Sequence, residues 1–326
     1  MNRIVFVTLY DGFCYGARSI ASLLRAHGHD VHFLHFKDFL IPLIRYDDEE
    51  RRRIAAESDS VAIPAIFPDG ERYIPFPTPV TETETQILID QLRERQPDVI
   101  AFTLLSVHIP LAQHLTKRIK QEFPKTPVIW GGIHAIIRTE ESIQHADIVC
   151  TGEGELCMLE LMSDLSRRNV RGFWFRDGNG QVIKNEPLPL NTNLDDLPFP
   201  LYLVNEWQIE NDTLSDMLIT CKQFVHDHYR ITTARNCPYR CTFCHHSTFQ
   251  DIYRGQKYVR RRSVDNVIEE LKQRKSDLGL DYVTFIDDVF IMHRRWIQEF
   301  AGSPSMRIVI RTRQSPICCR YSRTPG

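Results

Sequence analysis

Three cysteines fall within eight residues, Cys237-Pro-Tyr-Arg-Cys241-Thr-Phe-Cys244, a C-x3-C-x2-C spacing with an aromatic directly before the last thiol. Thiolates this close can converge on one soft metal centre, and clustered thiolates are what iron–sulfur clusters require. Three local ligands leave one iron of a cubane cluster without a thiolate. That position is filled by a distant residue or kept open for a small molecule, as the open position of a catalytic metal site is. The same residues admit a second reading. Cys237, Cys241 and Cys244 with His245 or His246 make the donor set of a Cys3His zinc site. Structural zinc ligands usually come from two separated pairs, and the chain lacks that arrangement.

The elements that must position this loop belong to a chain of 326 residues, 42% of them hydrophobic, long enough for two domains with packed cores. Net charge is -2 with no long basic run, so nucleic acid is not an expected partner; Arg260-Arg261-Arg262 reads as a solvated basic face. There is no export signal and no apolar run of about 18 residues, so the expectation is a soluble, cytoplasmic protein without a membrane span. Nine cysteines, an odd number, then argue for reduced thiols and metal chemistry over disulfides. Cys14, Cys150, Cys157 and Cys221 read as small buried residues.

The first half alternates strand and helix. Strands are expected at residues 4–9, 31–36, 98–103, 127–130 and 147–150, with helices at 17–26, 86–95, 112–123 and 156–167 between and after them. Such alternation implies a doubly wound parallel sheet, with ligands outside the carboxyl ends of its strands. Residues 40–82, with a charged patch and a proline-rich stretch, interrupt the rhythm as an excursion. Asp177-Gly178-Asn179-Gly180 between two short apolar runs signals a β-hairpin. The proline-rich segment 187–200 marks a linker, giving a first domain of residues 1–185, a linker of 186–215 and a second domain of 216–326. In the second half, strands at 229–234, 282–286 and 307–310 alternate with helices at 264–272, capped by Ser263, and 294–300, a (β/α) pattern with chemistry at strand ends.

Gly131-Gly132 closes one strand of the first half and Gly152-Glu153-Gly154 follows the next. Glycine lets a backbone approach a ligand closely, and no G-x-G-x-x-G opens the first helix, which disfavours NAD and FAD. The order Trp130-Gly131-Gly132-Ile133-His134, Glu140-Glu141, Thr151-Gly152-Glu153-Gly154-Glu155 and Leu197-Pro198-Phe199-Pro200, followed by the cysteine loop, resembles the cobalamin-binding radical S-adenosylmethionine (SAM) enzymes over residues 1 to about 300. The resemblance implies a Rossmann-like cobalamin-binding domain followed by the first part of a radical SAM (β/α) barrel.

It also implies site residues. Cys237, Cys241 and Cys244 hold a [4Fe–4S] cluster whose open iron binds SAM; Phe243 touches the SAM adenine through its backbone, and Asp287-Asp288 approach the SAM amino group. Ser106, Gly131, Gly132, Ile133, Gly152, Glu153 and Gly154 line the groove for the nucleotide tail of cobalamin. Asp30-Val31-His32 mimics the start of a cobalt-ligating D-x-H-x-x-G loop, but it lacks the glycine and lies within a strand, so no protein histidine is expected below cobalt. The implied activity is reductive SAM cleavage driving methyl transfer or radical ring and carbon chemistry on a small molecule, fed by a flavodoxin- or ferredoxin-type electron donor. The rival reading is a non-catalytic cobalamin- or nucleotide-binding module with a Cys3His zinc site. Only about 95 residues follow the first barrel strand, and the tail 311–326 is aperiodic and free of acidic residues. A truncated or frame-shifted family member, with impaired activity, is therefore expected.

Overall fold

The computed structural model describes residues 1–37, 49, 53, 61–67, 70–76, 79–202, 204–217, 228–278 and 282–303. The chain divides into two compact units: Met1–Thr192 with Asp196–Thr220 and Pro238–Tyr258, and Asn193–Asp195 with Cys221–Cys237 and Val259–Gly326.

The first unit is built on one nine-stranded sheet. Strand β1 (Arg3–Leu9) leads through α1 (Tyr15–Ala26) to β2 (Asp30–Phe36), which pairs with it in parallel. A hairpin of β3 (Val61–Phe67) and β4 (Gly70–Phe76) stands apart from the sheet, within the expected excursion. Helix α2 (Glu82–Arg95) then returns the chain to β5 (Val99–Thr103), on the other side of β1. A turn of 3-10 helix (Ser106–His108) and α3 (Ile109–Glu122) lead to β6 (Val128–Gly131), short helices α4 (Ile133–Ile137) and α5 (Thr139–Ser142) to β7 (Ile148–Cys150), and α6 (Gly154–Ser163) follows. All these sheet pairings are parallel. The hairpin of β8 (Phe173–Arg176) and β9 (Val182–Lys184) extends the sheet antiparallel, its turn at the Asp177-Gly178-Asn179-Gly180 signal.

Alternation along the strands sorts the side chains into two cores. Val5, Val7, Leu34, Phe36, Ile100 and Phe102 face α2 and α3, while Ile4, Phe6, Val31, Phe33, Val99 and Ala101 face α1 and α6. A parallel sheet covered on both faces demands near-continuous apolar strands, and Ile4-Val5-Phe6-Val7 supplies one. Helix α2 starts earlier than its apolar period suggests because Thr81 and Glu84 form a capping box: Thr81 Oγ1 accepts from the Glu84 N–H at 3.0 Å, and the Glu84 carboxylate accepts from the Thr81 N–H at 3.0 Å.

The segment read as a linker differs from expectation. After the prolines the chain forms β10 (Glu206–Glu210), parallel to β2, and β11 (Thr213–Asp216), antiparallel to β10, completing the order β11-β10-β2-β1-β5-β6-β7-β8-β9. Arg18 of α1 fastens this return. Its Nε donates to Phe13 O (3.0 Å), Nη1 to Leu201 O (2.8 Å) and Glu206 Oε1 (2.7 Å), and Nη2 to Gly12 O (2.6 Å) and Glu206 Oε2 (2.8 Å). All five guanidinium N–H groups are thereby used. His35 Nε2 lies 3.2 Å from the same carboxylate, and its Nδ1 lies 2.8 Å from Thr8 Oγ1. Burial alone would raise the Glu206 carboxyl; Arg18 and His35 outweigh it and hold it at about 2.

The second unit, described by itself, contains one β–α–β repeat among the described residues: β12 (His228–Ile231), α8 (Val264–Leu278) and β15 (Tyr282–Phe285), with β12 and β15 parallel. Ser263 Oγ accepts from the Asn266 N–H (3.1 Å), the cap expected for α8. A two-residue ladder joins β13 (Ala234–Arg235) to β14 (Arg260–Arg261), and α9 (Arg294–Gly302) ends the described chain, its Trp296 Nε1 donating to Arg262 O (2.8 Å). The arginine triplet is not a solvated face. Arg260 and Arg262 are buried, Arg262 paired with Glu270 at 2.5 Å, because the short ladder turns them inward. The strand expected at 307–310 and the tail 311–326 lie outside the described residues, as does Cys221. No helix among the described residues is long and apolar enough to cross a membrane.

Candidate functional site

The sheet has one topological switch point, between β1 and β5, where the chain winds first to one side and then to the other. Ligands of doubly wound sheets bind outside the carboxyl ends of the strands at such a point. Ser106, Gly131, Gly132 and Ile133 follow the adjacent strands β5 and β6 there, and Gly152, Glu153 and Gly154 follow β7, next in order.

The backbone latches these loops. Leu104 N–H donates to Gly131 O (2.8 Å) and His134 N–H to Leu104 O (3.0 Å). Gly132 has φ of 90°, and a Cβ there would stand 2.5 Å from Leu104 N, so no other residue fits without moving backbone. At Gly152 a Cβ would stand 2.1 Å from the Tyr253 hydroxyl, which itself accepts from the Glu153 N–H at 3.3 Å. Sequence reasoning gave both glycines to the ligand; the structure gives each a duty to the chain's own packing. Tyr253, which sequence reasoning missed, closes helix α7 (His246–Ile252), the segment just after the cysteine loop. Its hydroxyl is raised above the ordinary tyrosine range by burial and by Glu153.

Two histidines frame the β5 end. His108 is buried, its Nδ1 accepting from Leu105 N–H (3.1 Å), and burial outweighs the nearby Asp11 to push its pKa down to about 4. That ring is neutral near pH 7. His134 is buried with Nδ1 3.0 Å from Ser106 Oγ. Leu105 and Val107, which flank Ser106 in the chain, are 44% and 46% exposed, so apolar and polar groups lie side by side in this loop. The residues therefore suit a large ligand with an apolar face and polar edges. His32 lies within β2, its Nε2 3.0 Å from the Asp30 carboxylate.

In the cysteine loop Cys237 and Cys244 are half-buried and Cys241 is exposed, and none of the three is in a disulfide. Cys244 N–H donates to Cys241 O (3.0 Å), a tight turn that leaves Phe243 92% exposed at its tip. Three soft thiolates in this spacing suit an iron–sulfur cluster by donor chemistry. Among the described residues no three His, Cys, Asp or Glu side chains are gathered as a metal site would hold them. Cys14, Cys150 and Cys157 are buried, as expected; Cys150 and Cys157 place their sulfurs 3.9 Å apart. In the second unit Asp287, two residues past β15, accepts from Thr233 N–H (3.0 Å) and Thr233 Oγ1 (2.7 Å), and Arg261 Nη1 donates to the same Oγ1 (2.8 Å). Asp287 thus ties the ends of β12 and β15 together, and Asp288 beside it is exposed.

The sheet is of the doubly wound class, and residues 74–162 match the family model of the B12 binding domain. The chain is 27% identical over 219 residues to an uncharacterized methyltransferase of Pyrococcus horikoshii, covering 63% of this chain and 42% of that protein. It is 25% identical over 228 residues to an anaerobic magnesium-protoporphyrin IX monomethyl ester cyclase of Cereibacter sphaeroides, covering 65% and 34%. It is 26% identical over 237 residues to the cobalamin-dependent radical SAM methyltransferase TokK of Streptomyces tokunonensis, covering 68% and 31%. The solved structure of the cobalamin-dependent SAM radical enzyme OxsB, with aqua-cobalamin and SAM bound, shares the fold at a TM-score of 0.58 and 17% identity, over 89% of this chain and 34% of that one. The chain thus carries a B12-binding match and is similar to proteins named as cobalamin-dependent radical SAM enzymes. It spans between 31% and 42% of the length of these curated relatives.

Proposed function

We propose that the chain is a cobalamin-dependent radical SAM protein that serves methyl transfer, or radical ring or carbon chemistry, on a small molecule. The observation that carries this reading is the presence, in one chain, of a B12-binding match on a doubly wound sheet and of a loop of three closely spaced cysteines outside any disulfide. Cys237, Cys241 and Cys244 would hold a [4Fe–4S] cluster, with SAM at its open iron. The backbone at Phe243 would meet the adenine. Asp287 would set the strand end through Thr233, and exposed Asp288 would bring carboxylate charge toward the SAM ammonium. The β5, β6 and β7 turns, with Ser106, Gly131 to Ile133 and Gly152 to Gly154, would take cobalamin. When bound, the cluster and SAM supply reductive carbon–sulfur cleavage and cobalamin supplies a methyl carrier; the protein binds, orients and excludes water. Electrons would come from a flavodoxin- or ferredoxin-type donor.

The test is anaerobic reconstitution with iron and sulfide, followed by metal analysis. About four irons per chain and a brown protein are expected. Stoichiometric zinc with no iron uptake would overturn the cluster assignment.

A further inference from the structure

The imidazole of His134 has more to do than the fold requires. Only 5% of the residue is exposed, and Nδ1 is engaged by Ser106 Oγ at 3.0 Å, yet Nε2 has no hydrogen-bond partner. The Glu141 carboxylate stands 4.0 Å from Nε2, beyond hydrogen-bond range. Buried polar atoms without partners are rare in native proteins, because each forfeits its water without recompense. This one stands two residues past Gly132, where the ends of β5 and β6 are latched, and its ring is bonded to Ser106, whose chain neighbours Leu105 and Val107 are exposed. The carboxyl edge of a doubly wound sheet is where the phosphate- or nucleotide-bearing part of a ligand lies. Burial also holds the His134 pKa below the ordinary histidine range, so the ring meets its ligand uncharged near pH 7.

We infer that His134 is a ligand-contacting residue, its Nε2 hydrogen-bonding the nucleotide tail of a corrinoid bound at this edge, with Ser106 as the positioning residue that holds the ring through Nδ1. The assignment rests on the cobalamin reading above and deepens it: Ser106, given a direct ligand contact by resemblance, works here through the histidine.

The experiment is equilibrium dialysis of the full 326-residue chain against hydroxocobalamin and, separately, against cobinamide, a corrinoid without the nucleotide tail. His134→Asn keeps a polar atom near the position of Nδ1 and removes Nε2; His134→Gln carries its amide out to where Nε2 stands. His134→Asn is expected to weaken cobalamin binding about three- to tenfold, the worth of one hydrogen bond, and to leave cobinamide binding unchanged. His134→Gln should recover most of the loss, and Ser106→Ala should fall between. Equal thermal midpoints across the set exclude misfolding as the cause, and a variant that misfolds is replaced in the comparison by the Ser106→Ala and His134→Gln pair. Unchanged cobalamin affinity in His134→Asn, or an equal loss for cobinamide, would overturn the assignment. Failure of the unaltered chain to retain either corrinoid would instead overturn the cobalamin reading, and this inference with it.

Discussion

Tyr253 and Gly152 show how a single residue can carry two constraints. The tyrosine hydroxyl occupies the space a Cβ at the glycine would need, so an added methyl must displace it. Gly152→Ala should therefore lower the thermal midpoint of the ligand-free protein, and Tyr253→Phe in the same chain should restore part of it, a coupling that a double-mutant cycle reads directly. His108 offers a pH test. Its folded pKa of about 4 lies below the ordinary histidine value of roughly 6.5, so the unfolded chain binds a proton that the native state refuses. Its stabilisation is complete above the unfolded pKa and is lost as pH falls from about 6.5 toward 4, at most ~3 kcal/mol in all. Buried His35, also lowered by burial, acts in the same direction. Urea midpoints should fall between pH 7.5 and 4.5, and His108→Gln should shrink that fall. No slope difference between the two proteins would contradict the assignment.

At the scale of elements, most of the sheet was legible because its central strands are apolar on both faces. Two misreadings have physical causes. The start of α2 was missed because the capping box Thr81-x-x-Glu84 precedes the apolar period; the pattern itself is visible in the sequence. Thr81→Ala should destabilise the protein by about 1 kcal/mol, measured by urea denaturation, with the loss concentrated in amide exchange of the first turn of α2. Strand β10 was missed for a deeper reason. Four of its five positions are buried, Glu206, Gln208, Ile209 and Glu210, and three of those four are polar residues that resemble a solvent-facing loop. Burial of the two glutamates is compensated by Arg18, His35 and Lys37, which lie more than 160 residues earlier and which local periodicity cannot pair with them. The glycine turns were found by their spacing, whereas Tyr253 carried no signal, since one tyrosine after a short helix looks like any other.

At the scale of the molecule, the candidate cobalamin edge is built from strands that have two complete cores of their own, one on each sheet face. Loss of one thiolate from the cysteine loop removes no residue of those cores. Cys241→Ala should therefore abolish iron retention while leaving corrinoid affinity within about twofold of the unaltered chain, since it deletes no contact at that edge. Iron analysis and equilibrium dialysis on the same preparation test both halves. Parallel loss of both ligands would mean that the loop supports the sheet edge in a way its exposed cysteine does not suggest.

The five engaged donors of Arg18 decide where this chain can be cut. A fragment ending at residue 185, the boundary the prolines suggest, would keep the guanidinium in its apolar bed and discard both its carboxylate and the Leu201 carbonyl. An uncompensated buried charge costs about 3–5 kcal/mol, a large part of the stability of a small domain. A fragment ending at residue 200 fares no better, because Glu206 is still missing. One carried through Met217 retains the acceptor set and every strand of the nine-stranded sheet. Circular dichroism should find the longer fragment cooperatively folded and the two shorter ones not. For anyone dissecting this protein, an ion pair 188 residues apart in the chain argues against cutting it at the proline-rich stretch.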